Sequence, residues 1–141
     1  MTAKILVSRE EVIGIISEHW SPLSKAQQDL LADNLRIVTF KKNDIIYRGG
    51  ESPHEVMCLI SGKVKIYKDG VNGRSQIIRA IKAVEFFGYR AFFAGEEYKT
   101  SAMAIDTCVV AFIPIKLVVK FIHENTAVSS FFIRHLARLL G

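Results

Sequence analysis

Residues that hold metals, carry redox chemistry or cross a membrane are scarce in this chain. Its 141 residues include two cysteines, Cys58 and Cys108. Both lie in apolar, strand-like runs and neither has a partner at ligand spacing. That argues against an iron–sulfur cluster or a structural zinc, and for buried free thiols in a reducing compartment. The four histidines, His19, His54, His123 and His135, are far apart, and only His54 falls in the β-rich middle. The converging His and Glu ligands of a cupin-type metalloenzyme are therefore missing. His54 reads as a turn residue and His135 as part of a helical contact face. The longest apolar stretch, Cys108 to Ile122, is interrupted by Pro114, Lys116 and Lys120 and is too broken to span a bilayer. The opening MTAKILVSREE becomes charged too soon for a signal peptide. A cytoplasmic soluble protein is the expectation.

A dense basic block is also absent. Lys and Arg number 19 against 14 Asp and Glu, a net +5, and they are scattered from Lys4 to Arg138. Such a distribution is a solvated surface rather than a nucleic-acid interface. Ser61-Gly62 has no GxSxG elbow around it, and Gly88 with Gly95 forms neither a GxGxxG nor a P-loop. No residue set points to catalysis, so a non-enzyme is expected.

Core-forming residues, by contrast, are plentiful. Half of the chain is hydrophobic, with nine Phe, four Tyr and one Trp. The length fits a single domain, residues 1–141. The run from Lys41 to Tyr67 packs two tight turns and three short strands together. Ile45-Ile46-Tyr47 is β-branched and aromatic, and Gly49-Gly50-Glu51-Ser52-Pro53 breaks it. Val56 to Ile60 is a second apolar run. After Ser61-Gly62, Lys63 to Tyr67 alternates, with Val64 and Ile66 on one face and the lysines on the other.

Helices flank this region. Ser8, with Glu11 three residues on, makes a capping box for a first helix, whose stripe is Val12, Ile15, Ile16 and His19-Trp20. Ser21-Pro22 stops it, and Ser24 caps a second helix from Lys25 to Leu35, with Leu30, Leu31 and Leu35 inward. Asp69-Gly70-Val71-Asn72-Gly73 is a turn, and Gln76 to Ile81 the next strand. Glu85 to Gly95 has room for one helical turn between two glycines. Its phenylalanines, Phe86, Phe87, Phe92 and Phe93, read as core or as the wall of an apolar pocket. Thr100 to Ile105 and Cys108 to Ile113 close the β region. Pro114 suits the first turn of a helix from Lys116 to His123. A last helix begins at Asn125 or Thr126, with Val128, Phe131, Phe132, His135, Leu136 and Leu139 on its apolar side. The layout is thus N-terminal helices in residues 1–35, a β-roll in 36–113 and C-terminal helices in 114–141.

This order resembles the cyclic-nucleotide-binding domain, and within it the sensory half of the cAMP-receptor-like (Crp/Fnr) bacterial transcription regulators. Lys42 to Glu51 resembles the first β-turn of that family, and Leu59 to Tyr67 its SGxVxIY strand. Phe87-Gly88 stands where the ligand-binding cassette begins. Asn43 and Val84 occupy places where the family often has Gly. The resemblance implies a mainly β fold with flanking helices: a double-stranded β-helix, or jelly-roll-like roll, of eight strands. Its inserted short helix offers N-terminal amides to a cyclic phosphate, assisted by an arginine on the next strand and by a glutamate that accepts from the ribose. In this chain Tyr89 stands in the glutamate's place, followed by Arg90. Tyr98 takes the arginine's place or, with a one-residue shift, Lys99 does, and Glu96 and Glu97 nearby would repel a phosphate. The implied ligand-binding residues are Gly88, Tyr89, Arg90, Ala91, Lys99, Thr100 and Ser101.

The resemblance further implies cAMP or another small anionic effector, and a homodimer formed through the last helix, where two subunits of this family pair. Contact with DNA would run through a helix-turn-helix not present in this chain, whose end at Arg138-Leu139-Leu140-Gly141 suggests truncation. The alternative is the same fold without a nucleotide ligand, serving as a dimerisation or protein-interaction module. No membrane partner is expected.

Overall fold

The structure, a computed structural model, describes residues 7–20 and 22–140. The start of the chain, Ser21 of the expected Ser21-Pro22 stop, and Gly141 lie outside the described residues. Two compact units emerge: Arg36–Ile115 forms one, and the segments before Arg36 and after Ile115 form the other.

Helix α1 (Arg9–His19) starts where Ser8 accepts from the Glu11 amide, and α2 (Lys25–Asn34) starts in a complete capping box between Ser24 and Gln27. The buried face of α1 is Val12, Ile13, Ile16 and Ser17, followed by Trp20. His19 is exposed and Ile15 only half-buried, so the expected stripe is rotated by about one position. The cause is Trp20, which carries more apolar area than any neighbour and takes the interior direction.

The β unit holds eight strands among the described residues: β1 (Arg36–Phe40), β2 (Ile45–Tyr47), β3 (Glu55–Ser61), β4 (Lys63–Asp69), β5 (Ser75–Lys82), β6 (Glu85–Phe87), β7 (Ser101–Ala104) and β8 (Cys108–Pro114). A short helix, α3 (Arg90–Ala94), is inserted between β6 and β7. The strands form two four-stranded antiparallel sheets, ordered β1-β8-β3-β6 and β2-β7-β4-β5. Between them sits a core that includes Leu59, Val64, Ile81, Phe87, Val110 and the small Ala102 and Ala104. Burying each large aliphatic side chain contributes about 1.5–3 kcal/mol, so this layer stabilises the roll. Cys58 and Cys108 are free and buried, as their apolar runs suggest.

Helices α4 (Ile115–Glu124) and α5 (Thr126–Leu140) follow. Pro114 is not in the first turn of α4. It pairs with Glu55 as the last residue of β8, where its missing N–H interrupts nothing. Within the helical unit the Trp20 ring lies 6.3, 6.4 and 5.6 Å from the rings of Phe121, Phe131 and Phe132. The Arg9 guanidinium donates to the carbonyls of Ala32 and Leu35, satisfying the C-terminal end of α2. On α5, Val128, Phe131 and Phe132 are buried, His135 and Leu136 are half-buried, and Leu139 is exposed.

Two turns depend on left-handed backbone. Asn43 sits at φ 74°, and Asn tolerates that region better than most side chains. Gly62, at φ 92°, joins β3 to β4 against β8. A Cβ there would lie 2.5 Å from Cys108 Cβ and 2.6 Å from the Thr107 carbonyl oxygen. Gly73 has a similar φ, 72°, in open space. Gly62→Ala is therefore expected to cost about 3 kcal/mol or more, from strain and collision together. Gly73→Ala should cost only about 1 kcal/mol. Urea midpoints of the two variants check the contrast.

Candidate functional site

The chain leaves β6 at Phe87, turns at Gly88 (φ 79°), makes α3 and closes at Gly95 (φ 70°), so the helical turn lies between the two glycines. A Cβ at Gly88 would lie 2.1 Å from Met57 Cε, so a side chain there would have to displace the end of the methionine. The Gly88 carbonyl accepts a hydrogen bond from the Tyr98 hydroxyl at 3.3 Å.

Tyr98 comes from the segment just before β7, and its ring stacks on Tyr47 with centroids 3.9 Å apart and planes 17° apart. Its main chain is held on both sides. The Gly50 amide donates to the Tyr98 carbonyl at 2.7 Å, and the Tyr98 amide donates to the Glu51 carbonyl at 3.0 Å. These bonds fix which residue of the Tyr98-Lys99 pair turns inward. Tyr98, Tyr47, Met57, Phe87 and Ala91 belong to one packed cluster. Sequence reasoning missed Tyr47 and Met57 as site residues. Their only signal is their place in strongly apolar strands, where core and pocket wall look alike.

The charged groups lie outside this cluster. Arg90 is exposed and pairs with Glu96 at 3.0 Å, and Lys99 reaches the same carboxylate at 3.3 Å. Hydrogen bonds from Arg90 and then Lys99 hold the Glu96 carboxyl below its ordinary range. On the neighbouring strands Arg79 pairs with Glu85 at 2.9 Å. The phenols are neutral at physiological pH. Burial pushes Tyr47 up to about 12, only partly offset by a hydrogen bond with Thr100 and by the charges of Arg79 and Arg90. Burial also raises Tyr98 and Tyr89. An anion entering here would lose its hydration among neutral rings, while the nearest cations are already matched by carboxylates.

The seven expected ligand residues are thus split three ways. Gly88, Tyr89 and Ala91 pack at the start of α3, with Tyr89 3% and Ala91 4% exposed. Arg90 and Lys99 meet on the outside through Glu96. Thr100 interacts with Tyr47, and Ser101 Oγ accepts from the Gly49 amide at 2.9 Å. Among the described residues, no group of three or more His, Cys, Asp or Glu is arranged to hold a metal, and no helix is long and apolar enough to cross a membrane.

A family model for the cyclic nucleotide-binding domain matches residues 37–125. The sensor domain of the transcriptional regulator DNR from Pseudomonas aeruginosa has a similar fold. Its TM-score is 0.81 at 24% identity, covering 94% of this chain and 90% of that one. DNR itself gives 0.75 at 25% identity over 96% of this chain and 63% of its own. The catabolite activator protein of Thermus thermophilus gives 0.73 at 19% identity over 86% and 57%. In sequence, an uncharacterized protein of Haemophilus influenzae is 37% identical over 67 residues, 48% of this chain, and the match spans 52% of that relative's length.

Two outcomes are expected of the tyrosine stack. Tyr98→Ala should cost about 3–5 kcal/mol in chemical denaturation, because it empties a packed site. The Tyr47 phenol lies above its unfolded value, so its contribution is complete below about pH 10 and is lost as pH rises through about 12. Phenolate absorbance followed with circular dichroism should therefore show late tyrosine ionisation coinciding with alkaline unfolding.

Proposed function

The chain belongs to the cyclic nucleotide-binding domain family, and on that premise we propose that it is the sensing domain of a Crp/Fnr-type regulator whose nucleotide cassette is filled by its own aromatic side chains. The observation that carries this reading is the Tyr98 ring, stacked on Tyr47 with its hydroxyl on the Gly88 carbonyl. By the resemblance, Tyr98, or Lys99 with a one-residue shift, stands where the family places its phosphate-binding arginine, and Tyr89 where it places its ribose-binding glutamate. One substitution removes the charge that recognises phosphate, and its bulk fills the volume that phosphate needs. The domain acts by binding rather than by catalysis, and its effector is a small anion other than cAMP.

Output runs through a homodimer formed by α5 to a DNA-binding domain outside this sequence, in the cytoplasm. Ile133, Leu136, Ala137 and Leu140 fall at i, i+3, i+4 and i+7 and make an apolar stripe along α5. Ile133 is 69% and Leu140 91% exposed, which supports a second copy as the cover. The stripe is also what a dimerisation module with no ligand would show.

Titration calorimetry with cAMP and cGMP is expected to give no binding heat at millimolar nucleotide, and sub-millimolar affinity for either would overturn the filled cassette. The double variant Tyr98→Arg, Tyr89→Glu restores the family's charges and is expected to gain measurable cAMP binding. In sedimentation velocity, Ile133→Asp should convert a dimer to monomer. A dimer unmoved by it would remove α5 as the interface.

A further inference from the structure

Three strand ends converge at one side of the β2-β7-β4 part of the second sheet. Arg48 follows β2, Lys68 closes β4, and Lys99 to Ser101 lead into β7. Arg48, Lys68, Lys99, Thr100, Ser101 and Asp69 line a cleft of about 330 Å³ there, and none of Gly88 to Ala91 lines it. The resemblance implied a place in the cassette for Lys99, Thr100 and Ser101, and all three line this cleft.

The electrostatics of the cleft are unbalanced. Three cations face one carboxylate, Asp69. Lys99 is shared with Glu96 at 3.3 Å, while neither Arg48 nor Lys68 has an ion-pair partner among the described residues. Ser101 Oγ already accepts from the Gly49 amide, so its own proton is left to donate. A fork-shaped guanidinium, two ammonium groups and a hydroxyl donor on residues lining one cleft suit a group with several acceptor oxygens and more than one negative charge. Asp69 on the same wall can accept from a ligand hydroxyl. The volume sits at the small end of ligand pockets, which begin at about 300 Å³.

We propose that this cleft binds a small phosphorylated anion, with Arg48, Lys68, Lys99 and the Ser101 hydroxyl on the phosphate and Asp69 on a ligand hydroxyl, as in a sugar phosphate. The proposal rests on the reading of this chain as a sensor of small anions and gives that sensor a site separate from the closed cassette.

The test is titration of the full chain with inorganic pyrophosphate and with ribose 5-phosphate, read by calorimetry and by amide chemical shifts. Both probes are expected to bind, with shifts at Gly49, Lys68 and Ser101 and none at Gly88 or Met57. Arg48→Gln and Lys68→Gln, both surface changes, should each weaken binding at least tenfold, and a rise in salt should weaken it further. Absence of binding by both probes at millimolar concentration, or binding untouched by either substitution, overturns the proposal while leaving the closed cassette standing. Shifts centred on Gly88 and Met57 instead would overturn both.

Discussion

The packing of one side chain, Tyr98, ties together the junction around the inserted helix. The ring is stacked on Tyr47, its hydroxyl meets the Gly88 carbonyl, and its main chain is bonded to Gly50 and Glu51. These contacts come from three separated parts of the chain: the turn after β2, the approach to α3 and the approach to β7. Removing the ring would leave a void at the centre of that junction. A ligand that displaced it would have to replace the aromatic stacking as well as supply its own contacts, and the neighbouring groups are neutral phenols and a thioether that offer an anion little in return.

The distribution of charge follows from the same arrangement. Arg90 and Lys99 share Glu96, and Arg79 is matched by Glu85. Pairs this exposed contribute little to stability, about 0–1 kcal/mol each. Their effect is to match the cations near α3 with carboxylates. Arg48 and Lys68, which have no ion-pair partner among the described residues, lie at the edge of the second sheet.

Much of the architecture was legible in the sequence. β-Branched runs cut by Gly and Pro gave the strands, Ser8 and Ser24 marked helix starts, and Gly88 and Gly95 bracketed α3 because both take positive φ. What the sequence left open was direction. Spacing alone admitted Tyr98 or Lys99 as the inward residue, and only the pairing of Tyr98 with Glu51, nearly fifty residues away in the chain, decides it. Arg90 and Ala91 are adjacent in a five-residue helix, too short for a periodic pattern to say which one faces the core. His19 and Trp20 pose the same problem in α1, and tertiary packing turned the larger ring inward. Pro114 fits a helix start by propensity but ends a strand, because its partner Glu55 requires no donor from it.

The most direct measurement is a crystal structure of the protein grown in saturating cAMP. The account requires the Tyr98 ring to remain stacked on Tyr47 with its hydroxyl at the Gly88 carbonyl, and the cassette to hold no nucleotide. Tyr98 swung out of the roll, with a cyclic phosphate seated against the start of α3, would contradict it.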